Sequence, residues 1–212
     1  MSHPQPADHP VLRVADLHFA WPNQPPLFKG LTFALAPGVH LLRGGDGCGK
    51  STALALLAGE RAAQGGALQV AGVSWQHSPT AYRQAVFWIA PDTVDFDAVS
   101  AREAWSALGA RYPSFDPALL AELAAAFGLT EHAHKPLYML STGSKRKVWL
   151  CAAFAAGVTL TLIDQPFAAL DAPSIRLLRG LLAEASEHPS RAWLLADHEA
   201  PTGIKLGTVV DL

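Results

Sequence analysis

Short apolar segments alternate with helix-forming segments along most of this chain. Val11–Phe19 and Leu31–Leu35 alternate apolar and polar residues, which is typical of strands with one buried face. Shorter and more continuously apolar segments predict further strands at Val39–Leu42, Leu68–Val70, Val86–Ala90, Thr159–Ile163, Ala192–Leu195 and Thr208–Leu212. We expect the first strand of the chain, Val11–Phe19, and the last, Thr208–Leu212, to lie at sheet edges.

Helix-forming segments follow several of these strands. Lys50–Ala58 and Pro173–Ala185 are predicted helices, and Gly59 is suited to end the first of them. Between Asp92 and Tyr138 the composition changes to Ala, Leu and Glu, which predicts two or three helices in succession. The helix-start residues expected there are Ser100, Asp116 and Thr130.

The order of these elements predicts an α/β fold with a mostly parallel sheet, because strands alternate with helices. Residues 1–10 are rich in Pro and His and are expected to be disordered. Residues 11–212 are expected to form one domain. Its core is assigned to residues 11–91 and 146–212, and residues 92–145 are assigned to an inserted helical subdomain.

Composition narrows the choice of partners and of compartment. Half of the 212 residues are apolar, and 16 basic against 18 acidic residues give a net charge of -2. We therefore expect no nucleic acid partner. Two cysteines are typical of a reducing compartment. Met1–Pro10 lacks the apolar region of a signal peptide, and Val148–Ile163 is too short to span a membrane comfortably.

A glycine-rich segment follows the apolar strand Val39–Leu42 and precedes a predicted helix. It satisfies the pattern G-x-x-x-x-G-K-[ST] with Gly44, Gly45, Asp46, Gly47, Cys48, Gly49, Lys50, Ser51 and Thr52. Glycines allow successive backbone N–H groups to point at phosphate oxygens, and the following helix adds its positive end. Lys50 can reach the β- and γ-phosphates, and the Ser51 hydroxyl can bind Mg²⁺. The segment predicts a site for ATP and Mg²⁺.

A second acidic motif ends the apolar strand at Asp164. Ligands of parallel sheets bind beyond the carboxyl ends of the strands, so Asp164 is placed to bind Mg²⁺ directly or through water. An Asp in this position could also simply cap a following helix. The neighbouring phosphate loop favours the magnesium role.

Together these motifs resemble those of the ATP-binding cassette ATPases. Leu140–Ser144 is similar to the L-S-G-G-Q signature of that family, and Ala169–Asp171 is similar to its dimer-contact loop. His198 resembles the family's switch histidine, and Trp21 stands where the family has an aromatic residue that stacks on adenine, with Phe19 as a rival. The resemblance extends from about Leu12 to His198. It implies a P-loop NTPase core (RecA-like), an antiparallel edge sheet and an inserted helical subdomain.

The signature segment implies a second phosphate-binding surface. A Ser hydroxyl and a Gly N–H at a helix start can bind phosphate, and Ser141 and Gly143 retain both donors. In the family these donors contact the γ-phosphate that the other protomer binds. Thr142 and Ser144 depart from the family signature. The charge run that follows, Lys145–Lys147, could be a solvated helix face.

Two further departures concern catalysis. The family usually has Glu directly after the acid of the second motif, as general base for the attacking water, and this chain has Gln165. An amide is not basic enough to accept that proton. The family also usually has Gln after a strand that ends in Pro, and here Asp92 follows Pro91. Either Asp92 partly replaces the base, with or without His198, and approaches the metal, or the site binds ATP and hydrolyses it slowly.

The resemblance implies an ATPase subunit of an importer or exporter. Its expected partners are a second cassette, identical or different, and a polytopic membrane subunit that docks near Asp92. The expected location is the cytoplasmic side of the inner membrane, through that subunit. The short length after His198 is similar to the haem-exporter subunits of cytochrome c biogenesis. The alternatives are a regulatory cassette with impaired hydrolysis and a soluble cassette ATPase outside transport.

Overall fold

The computed structural model describes residues 10–90 and 92–212. Within them the strands form one antiparallel sheet of four strands and one parallel sheet of five strands. The predicted disorder of residues 1–10 concerns a segment that lies outside the described residues except for Pro10. Pro91, the proline before Asp92, also lies outside them.

The antiparallel sheet has the strand order β2-β1-β4-β5. Its strands are β1 (Leu12–Ala20), β2 (Pro26–Leu35), β4 (Gly65–Val70) and β5 (Val73–Ser74). The expectation that the first strand lies at an edge is wrong, because Leu12 of β1 faces Leu35 on one side and Val70 on the other. Alternation of apolar and polar residues indicates that one face of the strand is buried. It does not distinguish a central antiparallel strand from an edge strand, because both can have this pattern.

The parallel sheet has the strand order β6-β7-β8-β3-β9. Its strands are β3 (Gly38–Arg43), β6 (Val86–Phe87), β7 (Leu160–Asp164), β8 (Ala192–Asp197) and β9 (Leu206–Asp211). The last strand lies at an edge, as predicted, whereas the predicted strand Val86–Ala90 is limited to the two residues of β6. β3, β7 and β8 are buried along nearly their whole length. Their apolar runs follow from layers on both faces of the sheet.

Six α-helices and one 3₁₀ turn connect the strands in the described part of the chain. They are α1 (Lys50–Leu57), α2 (Pro79–Gln84), α3 (Ala101–Arg111), α4 (Pro117–Ala126), the turn Leu137–Met139, α5 (Thr142–Ala155) and α6 (Ala172–Ala185). Gly59 follows the last turn of α1 with φ +70°, the left-handed conformation that suits a helix end.

Two of the three predicted helix starts are confirmed. The Ser100 side chain accepts a hydrogen bond from the Glu103 N–H, and the Glu103 carboxylate accepts one from the Ser100 N–H. Asp116 accepts hydrogen bonds from the N–H groups of Ala118 and Leu119, in the first turn of α4, through one carboxylate oxygen. The third predicted start, Thr130, is wrong. The backbone there forms consecutive four-residue turns, with the His132 N–H bonded to Leu129 O and the Lys135 N–H bonded to His132 O.

The helices of the insert pack on the parallel sheet through a common apolar core. Trp105 of α3 is buried, and its Nε1 donates a hydrogen bond to the Val148 carbonyl of α5, at 3.0 Å. Phe154 of α5 stacks on Trp193 of β8. α5 continues without a break across the boundary predicted between residues 145 and 146. The signature helix α5 therefore extends from the predicted helical subdomain into the predicted core. The division into subdomains stays a prediction.

Candidate functional site

The glycine-rich loop joins the carboxyl end of β3 to the start of α1. Gly47 and Gly49 have φ values of +74° and +104°, in the left-handed region that favours glycine. A Cβ atom added at Gly45 or Gly47 would meet no atom within 4 Å. One side of the loop is therefore open, and it has the shape that a phosphate chain requires above a helix N-terminus.

Lys50 lies across this loop. Its Nζ donates hydrogen bonds to the carbonyl oxygens of Gly44 at 2.7 Å and of Gly45 at 2.8 Å. The residue is only 7% exposed. The ammonium group is thus held at the loop itself, where a phosphate anion bound to the loop would meet it.

Ser51 and Asp164 bring together the hydroxyl and the carboxylate expected at a magnesium site. The Ser51 Oγ donates a hydrogen bond of 2.5 Å to Asp164 Oδ2, across α1 and β7. Burial raises the pKa of Asp164, while the Ser51 hydrogen bond and the positive charges of Arg146 and Lys50 act in the opposite direction. Two oxygen ligands at one partly buried point fit Mg²⁺, which binds oxygen and completes its shell with water and phosphate.

Asp92 lies at a cavity that Asp164 also lines. Asp92 is exposed, and the cavity has a volume of about 300 Å³ and is lined by Arg146 as well. The structure therefore brings Asp92 to the neighbourhood of the predicted metal ligand. Its predicted roles, as ligand and as substitute base, stay predictions.

Gln165 and His198 line a different cleft, which they share with Gly45 and Asp46 of the phosphate loop. Gln165 is exposed and has a left-handed backbone, with φ +45°. His198 is also exposed, and its Nδ1 lies 2.8 Å from Asp197 Oδ1. The two groups considered as substitutes for the missing base, Asp92 and His198, thus face separate cavities.

The signature segment forms the start of α5. The Ser141 hydroxyl accepts a hydrogen bond from the Ser144 N–H at 3.1 Å, so Ser141 caps the helix as the motif predicts. Gly143 lies against the backbone of Ala169 so closely that an added Cβ would collide with the Ala169 carbonyl. The signature and the dimer-contact loop therefore form one surface.

The dimer-contact loop is also held by charge. Asp171 caps α6 by accepting the Ser174 N–H at 2.9 Å, and it accepts a hydrogen bond of 2.5 Å from Lys147 Nζ. The Lys147 hydrogen bond, followed by those from Ser174, holds the pKa of Asp171 well below its usual range. Lys147 thus has a specific partner.

The two candidate adenine platforms differ in exposure. Phe19 is only 5% exposed, which removes it as a stacking surface, whereas Trp21 is partly exposed. The Arg61 guanidinium lies 4.3 Å from the centre of the Trp21 ring, a cation–π contact. Trp21 stays the predicted adenine platform. Arg61 was not predicted, because its proximity to Trp21 depends on the pairing of β1 with β4.

Comparison with known proteins decides the family. A family model described as "ABC transporter" matches residues 28–168, from β2 to the residue before the dimer-contact loop. The chain belongs to the ABC transporter family. The matched ABC segment contains the phosphate loop, the signature and Asp164, and it ends before His198.

Curated ABC relatives include both import and export proteins. The "Cytochrome c biogenesis ATP-binding export protein CcmA" of Pseudomonas syringae is 31% identical over 175 residues, which cover 81% of this chain and 81% of that protein. The "Fe(3+) ions import ATP-binding protein FbpC 2" of Rhodococcus jostii is 30% identical over 182 residues. Those residues cover 84% of this chain but only 52% of that protein, so the chain spans about half of its length.

Solved structures agree with the ABC assignment. An ATP-binding subunit of an ABC transporter superposes with a TM-score of 0.78 at 25% identity, over 89% of this chain and 79% of that one. The cbiO1 protein of Clostridium perfringens, part of the ABC transporter complex cbiONQ, has a TM-score of 0.67 at 20% identity and shows the fold alone. The superposition covers 90% of this chain and 79% of the cbiO1 chain. The predicted α/β fold with a parallel and an antiparallel sheet is therefore confirmed. In the described part of this ABC chain, each helix is too short or too polar to cross a bilayer.

Proposed function

We propose that this chain is the ATP-binding subunit of a membrane transporter and that it binds Mg-ATP at Gly44–Thr52. One observation carries the proposal. The Lys50 ammonium, the Ser51 hydroxyl and the Asp164 carboxylate converge at the carboxyl ends of β3 and β7, beside an open glycine loop. This is the combination of groups that the phosphates and the metal of Mg-ATP require.

Each of these residues has a distinct task in the proposed site. The loop N–H groups and Lys50 hold the β- and γ-phosphates, Ser51 and Asp164 hold Mg²⁺, and Trp21 stacks on adenine. The metal neutralises charge on the phosphates when it is bound. In hydrolysis, a water oxygen forms a bond to the γ-phosphorus, the bond to the bridging oxygen breaks, and ADP keeps its electron pair. The water proton needs an acceptor, which the Gln165 amide is not.

The signature residues face a second cassette in this proposal. Ser141 and Gly143 lie at the exposed start of α5, beside the dimer-contact loop. A helix start with an exposed hydroxyl and backbone N–H groups can bind the γ-phosphate of ATP that another copy, or a different cassette, holds on its phosphate loop. Binding would thus favour a closed dimer, and hydrolysis would release it.

A polytopic membrane subunit is the proposed third partner. Large apolar side chains are exposed beside the Asp92 cavity: Val94 is 71% exposed, Tyr138 65% and Met139 59%. The Tyr138 N–H is bonded to the Asp97 carbonyl, so the two exposed segments are joined. Such a patch suits a short amphipathic helix of the membrane subunit. The chain would then lie at the cytoplasmic face of the inner membrane.

Calorimetric titration of the folded chain with ATP and Mg²⁺ tests the nucleotide site. We expect saturable binding to the parent, and loss of most affinity in Lys50→Ala, because that variant lacks the ammonium charge that the Gly44 and Gly45 carbonyl groups hold at the loop. Lys29→Ala, at an exposed lysine on β2, is the matched control and should bind as the parent does. Equal affinity for the parent and Lys50→Ala would refute the assignment.

A second candidate, a regulatory cassette with impaired hydrolysis, is favoured by Gln165. The backbone of Gln165 is held beside the phosphate loop, but its amide cannot accept a proton. Such a cassette would pair with a competent one. Steady-state turnover of the purified chain separates the two candidates, since a regulatory cassette binds Mg-ATP without multiple turnovers even when its membrane partner is present.

A further inference from the structure

Three consecutive cations, Lys145–Lys147, lie in the first two turns of the signature helix α5, and each has a different partner. Lys145 Nζ lies 2.5 Å from Asp97, and Lys147 Nζ lies 2.5 Å from Asp171. Arg146 instead contacts backbone. The run therefore makes directed contacts between α5 and neighbouring segments, and the alternative of a merely solvated helix face is wrong.

Arg146 reaches the end of β7 with a single nitrogen. Its Nη1 donates one hydrogen bond of 2.7 Å to the Asp164 carbonyl and another of 2.7 Å to the Gln165 carbonyl. The guanidinium is half-buried, and it stays charged at any pH that the protein tolerates. Hydrogen bonds from a charged donor in a partly buried place are stronger than those between neutral groups.

These two carbonyl groups belong to the residues on which the chemistry depends. The Asp164 carboxylate accepts from Ser51, and Gln165 occupies the place of the general base. Gln165 holds a left-handed backbone, with φ +45°, that side-chain-bearing residues adopt only when their surroundings enforce it. Besides Arg146, its backbone is held by the Ala196 carbonyl at 2.8 Å and by the Ala168 N–H at 3.1 Å.

We propose that Arg146 is a positioning residue that fixes the backbone of Asp164 and Gln165 and thereby sets the affinity of the site for its metal. The inference rests on the proposed Mg-ATP site. It adds a connection, within one chain, between the signature helix α5 and the metal ligand Asp164. Ser141 and Gly143 of α5 face a second cassette's nucleotide, while Arg146 of the same helix holds the chain's own metal ligand. A shift of α5 on closure would therefore directly change the position of the Asp164 backbone.

The test measures metal binding in the ATP complex, with Mn²⁺ as a paramagnetic probe followed by electron paramagnetic resonance. Arg146→Met removes the charge and both donors at similar length. We expect its Mn²⁺ affinity to fall by roughly 10- to 100-fold, the usual effect of removing a group that orients a metal ligand. ATP affinity in EDTA should stay within about twofold of the parent, because the phosphate loop keeps its own contacts.

Two further variants separate positioning from packing. Arg146→Lys should restore most of the Mn²⁺ affinity, because one nitrogen makes both hydrogen bonds and an ammonium has three donors. Arg146→Gln should behave as Arg146→Met, since its amide is neutral and too short to reach both carbonyl groups. Arg176→Met, at an exposed arginine on α6, is the matched control and should not change metal affinity.

The outcomes distinguish this inference from the proposed function. If the parent binds no Mg-ATP, the proposed function fails. If the parent binds Mg-ATP but folded Arg146→Met has the same Mn²⁺ affinity, only the role of Arg146 is overturned. If Arg146→Met does not fold, Arg146→Gln takes its place, and unchanged Mn²⁺ affinity there overturns the inference as well.

Discussion

Replacing Gln165 by Glu places a proton acceptor beside the phosphate loop with little change of shape. Glu has the length of Gln, and the backbone of residue 165 is fixed by contacts that do not involve its side chain. The side chain is exposed and lines the cleft that contains Gly45 and His198. We therefore expect the new carboxylate to reach the attacking water where the amide cannot accept its proton.

The size of the gain follows from the neighbours of residue 165. A positioned general base increases the rate of a reaction by about 10²- to 10⁴-fold. The exposed position of residue 165 leaves the new carboxylate well hydrated, which places the expected gain in the lower part of that range. We expect steady-state turnover to rise about 10²- to 10³-fold, equivalent to a barrier lower by about 3–4 kcal/mol.

The assay is phosphate release at saturating Mg-ATP, with ATP affinity measured in parallel. Gln165→Ala is the matched control and should not exceed the parent. Turnover of Gln165→Glu within threefold of the parent, at equal affinity, would refute the view that the amide limits hydrolysis. Asp92→Asn then separates the remaining explanations, because unchanged turnover in that variant excludes Asp92 as the substitute base.

Three further predictions test other parts of the molecule. Alkylation of Cys48, in the phosphate loop, should abolish ATP binding, with ATP slowing the modification in a mass-spectrometric time course. Gly143→Ala should weaken ATP-dependent dimerisation in light scattering but not ATP binding, because the added methyl displaces Ala169. Burial lowers the pKa of His40 from its usual 6.5, so the free energy of unfolding in urea should fall as pH drops below about 6.5. His40→Asn, whose Oδ1 can accept from the Thr208 N–H, should weaken that pH dependence without abolishing it, because burial also lowers the pKa of His188.

The elements around the nucleotide site were predictable because their signals are local. The predicted strand Val39–Leu42 and helix Lys50–Ala58 each match an observed element to within about one residue. Strand pairing is not local. β1 lies between β2 and β4 because of residues far along the chain, and its alternation contains no information about a second neighbour.

The residues of the candidate site also differ in whether local sequence could predict them. The phosphate loop and Asp164 could be assigned from residue type and from the strand before each of them. Arg146 could not, because its role depends on the approach of α5 to the end of β7, and three cations in sequence look the same on a solvated helix. Arg61 beside Trp21 is a second case, since it lies between α1 and β4 and only the pairing of β4 with β1 brings it to Trp21.

In the proposed site, binding and proton removal depend on different residues. Lys50, Ser51 and Asp164 are the proposed ligands of the phosphates and the metal, and their contacts within the chain do not involve the Gln165 side chain. Asp92 and His198 face separate cavities, so a substitute base on one side does not require the other. A site with intact binding and slow proton removal remains closed on ATP for most of its cycle, because closure follows from binding and opening waits for hydrolysis. The residue at position 165 would then set the lifetime of the closed state and leave its affinity for ATP unchanged.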